Sequence, residues 1–374
     1  MRAHSPTPRP WTELCIGVSG INAGENPGPG VAVARSLREA GHTGRLVGLA
    51  YDTLDAGAHN RELFDAVYMM PYPSTGAEAV LRRVEEIRRT CGLDLLLPTL
   101  DSEMDLYGSL EDAFSHRGIA TFLPGAESLA LRSKARLSAF CQENGFLAPP
   151  TRVVHDGAEL EKAFKELKDP AGIQPVYVKG QYYEAKKTFT LEQAWAAYTD
   201  ISSRWGLPIV MQQGLPGFEF NICCLGDGLG GLVGAVSMRK LGVTSLGKAW
   251  SGVTVGDPRL GELARRMIHA LRWRGPCELE ILCHEHTDQL YLIEINPRFP
   301  AWCYLCAGAG TNLPAAQAAL AAGEVVTDLP EPRSGVIYTR MAVDQVADLD
   351  ILNHLNTTGY ALHDTSGSQG GMKR

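Results

Sequence analysis

Long apolar runs are missing from this sequence. No stretch approaches the ~20 consecutive apolar residues that a helix needs to cross a bilayer, so no membrane partner is expected. The first ten residues are polar and proline-rich, without the apolar core of a secretory signal, and the expected location is cytoplasmic. A basic excess is missing too. Lys and Arg number 35 against 42 Asp and Glu, a net charge of −7, whereas a nucleic-acid surface announces itself as a basic patch. No nucleic-acid partner is expected, although a local basic pocket stays compatible with an acidic average. A cysteine framework is also absent: nine cysteines, an odd number scattered through 374 residues, fit a reducing compartment. Cys303 and Cys306 have zinc-like spacing, but no second CxxC or HxxxH accompanies them, and the expected role of both is as buried small apolar residues.

What is present is ordinary folded composition, 45% apolar and 21% charged, in a chain long enough for two or three lobes. Residues 14–19 read as a buried strand, 20–30 as a glycine-rich loop and 31–40 as a helix, the opening of a doubly wound α/β domain. The loop lacks GxGxxG, which disfavours a dinucleotide site and with it a nicotinamide oxidoreductase. Strands at 46–50, 66–70 and 93–97 and a helix at 77–90 follow, the helix carrying Val80, Leu81, Val84 and Ile87 at helical spacing. Asp101 and Glu103 lie just past a strand end, where open α/β sheets place ligands, so both are candidates for holding a substrate amine. Helix capping by Asp101 or Ser102 is the plainer alternative.

Pro149-Pro150 marks a boundary. Beyond it come a strand at 151–154, a helix at 156–167, a strand at 175–179 that delivers Lys179, a capping box Thr190 to Gln193 opening a helix to about 205, and a strand at 207–211. Two antiparallel strands at 220–225 and 231–238 flank a glycine-rich turn. Asp257-Pro258 opens a helix to about 273. A strand at 277–282 puts Glu278 and Glu280 on one face and turns back through 287–289 into Leu290-Tyr-Leu-Ile-Glu294-Ile-Asn296-Pro297-Arg298.

In that last stretch, alternation sends Tyr291, Ile293 and Ile295 toward a core and Glu294, Asn296 and Arg298 to the other face. A carboxylate and an amide oxygen two residues apart suit a hard cation such as Mg²⁺, and an arginine beyond them can grip a carboxylate or phosphate bidentately. Pro297 should end the strand. An ordinary half-exposed strand would alternate in the same way. The hairpin decides between the two readings, because it sets Glu280 beside Glu294, and facing carboxylates repel unless a cation lies between them. Trp302 and Tyr304 line a substrate pocket or, more simply, pack in the core. A helix at 313–322, a last strand at 335–343 and a mobile Gly/Ser-rich tail at 366–374 complete the reading.

Glu294-Ile-Asn-Pro-Arg298 after a short apolar run resembles the metal-binding strand of the ATP-grasp ligases, in the branch that looks like carbamoyl-phosphate synthase and biotin carboxylase. The remaining parts occur in that family's order. Lys134, ahead of an amphipathic helix, looks like its first phosphate-contacting lysine, and Pro-Val-Tyr-Val-Lys179 resembles its second lysine strand. Residues 180–187 take the place of the lid loop with Lys186, departing from the family in that two tyrosines and a glutamate replace small residues. The hinge resemblance implies that Gln212, Gln213 and Leu215 read the adenine edge and that Glu219 meets the ribose. Arg239 and Lys240 fall where charge on an acyl phosphate would be compensated, and Arg298 where a carboxylate would be oriented. Glu280, Glu294 and Asn296 would hold the metal.

The resemblance therefore implies an α/β chain with an α+β lid, that is, an ATP-grasp fold behind an N-terminal doubly wound α/β pre-ATP-grasp domain. Its parts would be residues 1–120 for that domain, 121–220 for a helical linker and lid, 221–330 for a core with the metal site, and 331–374 for a C-terminal strand and tail. It implies ATP and Mg²⁺ or Mn²⁺ as cofactors, small carboxylate and amine substrates with amino acids or short peptides among them, and allows a homodimer. The implied activity is ADP-forming carboxylate–amine ligation through an acyl phosphate, giving an amide or peptide bond. Activation of bicarbonate or carbamate, or ATP binding without chemistry, are the alternatives.

Overall fold

The computed structural model describes residues 9–363 apart from 25, 26, 132, 181–183, 245, 246 and 328. Packing divides the chain into two units, one made of residues 1–126, 223–278 and 297–374, the other of 127–222 and 279–296. No described helix is long and apolar enough to cross a membrane.

In the first unit a five-stranded sheet runs in the order Tyr360–Leu362, Ala66–Met69, Leu46–Ala50, Ile16–Ser19, Leu95–Leu97. The four N-terminal strands are parallel, and Tyr360–Leu362 joins antiparallel to Ala66–Met69. Ile16–Ser19 and Leu46–Ala50 are buried at every position, because both faces of a parallel sheet are covered and the sequence then shows unbroken apolar runs. The chain leaves Ile16–Ser19 through the glycine-rich loop and enters the helix Gly30–Glu39. Glycine is required at that entry, since a Cβ on Gly30 would come 2.0 Å from the Ser19 carbonyl oxygen.

Two elements near the C-terminus were not anticipated. The strand expected at 335–343 is only Ile337–Thr339, and it is followed by a helix Leu349–Thr357, which buries Ile351 and Leu355, and by the strand Tyr360–Leu362. Three residues with one buried alanine carry no readable period, so pairing to an existing sheet edge, not local pattern, makes this strand. The tail expected to be mobile lies outside the described residues, as do residues 181–183 of the expected lid loop.

The second unit holds a four-stranded antiparallel sheet in the order Thr151–Val154, Ile209–Gln213, Val176–Lys179, Ala185–Thr188. Helices Gly157–Leu167 and Leu191–Trp205 cover one face. The side chains of Asp156 and Thr190 cap them by accepting from the backbone N–H groups of Glu159 and Gln193. Leu160, Phe164, Val176, Val178, Ala197, Ile201 and Met211 share the resulting core. A six-stranded sheet has the order Leu290–Asn296, Arg274–His284, Gly217–Asp227, Leu232–Val243, Ala249–Thr254, Ile337–Thr339. Leu290–Asn296 ends before Pro297 as expected, but its burial does not alternate. Leu292, Ile295 and Asn296 are buried while Tyr291 and Ile293 are half-buried, because both faces of this strand are partly covered.

Candidate functional site

In the second unit the two expected phosphate lysines lie deep, at 5% and 6% exposure for Lys134 and Lys179. Lys134 opens the helix Lys134–Glu143, and its Nζ pairs with Glu294 Oε1 at 3.6 Å. Lys179 ends the strand Val176–Lys179 and donates from Nζ to Gln212 Oε1 at 2.6 Å. Gln212 is itself held by donating from Nε2 to Thr151 Oγ1 at 3.1 Å, so Thr151, which the sequence did not single out, orients the amide that fixes the lysine. Burial pushes the Lys179 ammonium from 10.5 down to about 8; the field of Glu294 opposes this, that of Lys134 reinforces it, and Glu280 and Glu219 oppose it further. Glu280 and Glu294 therefore act on one ammonium. Asn296 Nδ2 donates to Glu280 Oε1 at 3.2 Å, tying the two strands of the hairpin together.

The residues expected to form a hinge continue from the same sheet. Gln213 is the last residue of its strand, and its N–H donates to the Pro150 carbonyl at 2.9 Å. Leu215 is half-buried between this strand and the next, and Glu219 is exposed on the strand Gly217–Asp227.

Lys186 is not brought to this group. It pairs in register with Val178, and Lys179 with Ala185, so alternation sets Lys186 on the opposite face of the sheet from Lys179. There its ammonium pairs with Asp200 of the covering helix, which Arg204 also engages, and with Glu184 at 3.7 Å. Lys187, registered with Tyr177, shares the Lys179 face instead. The two ammonium groups lie 5.3 and 5.9 Å from the Tyr177 ring centroid.

In the first unit, Arg298 is buried between two carboxylates. Its Nε donates to Asp101 Oδ2 at 3.0 Å, and Nη1 to Glu278 Oε2 at 3.3 Å. Trp302 Nε1 donates to the other oxygen of Glu278 at 2.8 Å, which makes Trp302 a buried brace of this group. Burial works against the guanidinium charge, but Asp101 and Glu278 outweigh it and raise its pKa. Asp101, a candidate for holding a substrate amine, here pairs with an arginine. The same expectation fails for Glu103, which is 0% exposed. Its oxygens accept from Ser19 Oγ, Tyr51 Oη and the backbone N–H groups of Thr99 and Leu100 at 2.6–3.0 Å. It caps the helix Asp101–Ser109, a part expected of Asp101 or Ser102.

Arg239 and Lys240 are consecutive on the strand Leu232–Val243 and register with Val253 and Gly252. Alternation sends them to opposite faces, so one site can receive only one of them. Cys303 and Cys306 are buried, as expected of small apolar residues, and Tyr304 carries the guanidinium of Arg35 over its ring at 4.1 Å.

The donor chemistry fits a hard divalent cation. Among the described residues no three His, Cys, Asp or Glu side chains gather as a metal group, yet Mg²⁺ ordinarily takes one or two carboxylates and completes its shell with substrate phosphates and water. Glu280 and Glu294 with the amide of Asn296 supply that partial, all-oxygen set, and two buried lysines beside it suit phosphate oxygens.

A family model described as ATP-grasp in the biosynthetic pathway with Ter operon matches residues 207–343. Among solved structures, the chain is similar to a biotin carboxylase from Campylobacter jejuni in complex with β-γ-ATP, with a TM-score of 0.67 and 16% identity over 87% of this chain and 75% of that one. It is similar to the biotin carboxylase domain of Hydrogenobacter thermophilus 2-oxoglutarate carboxylase, solved with MgADP, ADP and bicarbonate, with a TM-score of 0.65 and 16% identity over 86% and 73%. The N5-carboxyaminoimidazole ribonucleotide synthetase of Thermus thermophilus matches with a TM-score of 0.61 and 18% identity over 85% and 81%. The fold is the ATP-grasp fold.

Proposed function

We propose that the protein is an ATP-dependent ligase that activates a carboxylate as its acyl phosphate and passes the acyl group to an amine, with release of ADP and phosphate. One observation carries the reading: Lys134, Lys179, Glu280, Glu294 and Asn296 form a single charge-alternating cluster in a chain of ATP-grasp fold. A buried ammonium that its surroundings make less basic is costly to keep, and such groups concentrate where an ionic ligand is handled.

The chemistry divides among residues already described. A carboxylate oxygen attacks the γ-phosphorus of ATP, the bond to the bridging oxygen breaks, and ADP leaves. The amine nitrogen then attacks the acyl carbon, phosphate departs with the bonding electron pair, and the nitrogen loses a proton. Positioning and charge compensation supply most of the help such transfers need. Lys134 and Lys179 hold the phosphate oxygens, with Gln212 fixing the Lys179 head, and Lys187 adds a cation on the same face. Gln212, Gln213 and Leu215 take the adenine edge and Glu219 the ribose. Arg298, locked by Asp101 and Glu278, presents a fixed cation to the acceptor carboxylate, and either Arg239 or Lys240 offsets charge on the acyl phosphate. Glu280, Glu294 and Asn296 would hold Mg²⁺ or Mn²⁺, which when bound neutralises phosphate charge.

A second reading follows from the bicarbonate in one similar structure, namely that bicarbonate is the activated acid. The test is ADP release by the purified chain with ATP and Mg²⁺ across carboxylates, amino acids and short peptides, with mass spectrometry of the products. Ligation predicts sustained ADP release, beyond one equivalent per chain, only when acid and amine are both present, and transfer of one ¹⁸O from labelled carboxylate to phosphate. ADP release with bicarbonate alone selects the second reading. Binding of ATP with no ADP from any acceptor overturns both.

A further inference from the structure

On the first unit, apart from every residue assigned above, a cleft of about 490 Å³ is lined by the cations Arg9, Arg45 and Arg88 and the carboxylates Glu13 and Asp94 around Cys15 and Cys91. Two chain features put both thiols there. The helix Ala77–Cys91 ends on Cys91, and Gly92 turns the chain with φ of +77°. Three residues later Asp94 and Leu95 donate their N–H groups to the Cys15 carbonyl, while Asp94 Oδ2 accepts from the Cys15 N–H. This short return brings both cysteines to the lining of one cleft, where the Cys91 thiol donates to the Ile87 carbonyl at 3.1 Å. Both are free.

We propose that Cys91 and Cys15 are a hydroperoxide-reactive dithiol that closes to an intramolecular disulfide in this cleft. The Cys91 thiolate sulfur attacks one oxygen of the hydroperoxide, the O–O bond breaks, and the departing oxygen takes a proton to leave as water or an alcohol. Cys91 is then a sulfenic acid. The Cys15 sulfur, giving up its proton, attacks the Cys91 sulfur and expels water. In sum, two thiols lose two electrons to one hydroperoxide and an S–S bond replaces two S–H bonds.

The order of events follows from the surroundings. Cys91 is the more exposed of the two, and reactive thiols sit in electropositive, partly exposed positions. The neighbouring Cys15 thiol holds the Cys91 thiol below its ordinary value against the effect of burial, and the Arg45 guanidinium adds to it. The Cys91 thiol beside it, burial and the Asp94 carboxylate all push Cys15 upward, which makes it the resolving partner. Cys223, Cys277 and Cys303 are pushed upward by complete burial and are inert by comparison. A disulfide requires Cα atoms within roughly 7 Å, which is the demand that closure between these two cleft-lining cysteines makes.

The experiment uses the full chain, treated with a small excess of hydrogen peroxide, quenched, denatured and alkylated. Expected results are the loss of two titratable thiols per chain and a non-reduced peptide pair joining Cys15 to Cys91. With Cys15→Ser, dimedone should trap a sulfenic acid at Cys91. On untreated protein, iodoacetamide should label Cys91 roughly 10-fold faster than the buried Cys141. Retention of every thiol, linkage of a different pair, or Cys91 labelling no faster than Cys141 would overturn the proposal. Because the wild-type peptide map decides the matter alone, poor folding of the serine variant leaves the test intact.

Discussion

Replacing Lys179 by methionine separates the stability cost of the candidate site from its use. The folded chain holds this ammonium near pKa 8 instead of 10.5, so between those values the unfolded chain binds more protons than the folded one, and stability must rise with pH there. At 1.36 kcal/mol for each pH unit, the interval amounts to about 3 kcal/mol of stability that is missing below pH 8 and recovered by about pH 10.5. Lys179→Met lacks this rise. It also loses the bond to Gln212 Oε1, worth about 1–3 kcal/mol. A neutral amine can still donate that bond, so its loss is a nearly pH-independent offset. The diagnostic is therefore the shape of the difference. Urea unfolding of both proteins at pH 7, 8, 9 and 10 should show wild type gaining on the variant across the upper half of the range, other titrating groups cancelling in the comparison. ATP affinity at pH 7 should fall roughly 10- to 100-fold in the variant, as expected for a lost charge-assisted contact. Parallel stability curves would refute the argument, because a lysine with no suppressed charge has no cost to recover.

The remaining predictions concern neighbouring groups. Glu294→Gln removes a candidate cation ligand and the partner of Lys134 but leaves a half-exposed strand position filled, so ADP release should drop by roughly 100-fold or more while the urea midpoint moves little; retained turnover would contradict the assigned role. Arg298→Ala strands Asp101 and Glu278 without their shared cation and should destabilise by about 3–5 kcal/mol. Arg298→Lys restores the charge without the planar fork and should recover most of the stability with little of the activity; denaturant unfolding and ADP release on the same samples separate the two effects. Lys187→Ala should weaken ATP binding roughly 5-fold or more, whereas Lys186→Ala, on the helix-covered face, should change it less than about twofold; calorimetric titration giving the reverse order would restore Lys186 to the nucleotide.

What could be read before folding is what local pattern controls. Leu46–Ala50 and Thr151–Val154 appear where they were expected, since unbroken apolar runs and a proline boundary leave few alternatives. Glu280, Glu294 and Asn296 come together because the hairpin that joins them is short and its alternation is legible. Arg298 was expected to grip a carboxylate, but the partners it has in the fold were not legible. Asp101 lies 197 positions away in the chain, and nothing in its own neighbourhood distinguishes an arginine partner from a helix cap. The two adjacent lysines show the limit most sharply. Residues 180–187 were read as the lid loop, with Lys186 the lysine that reaches the nucleotide. Once Ala185–Thr188 pairs with Val176–Lys179, a shift of one residue exchanges the faces of every side chain in it. Which lysine joins Lys179 is then decided by register alone, and register belongs to the pairing of two segments, which neither segment encodes by itself.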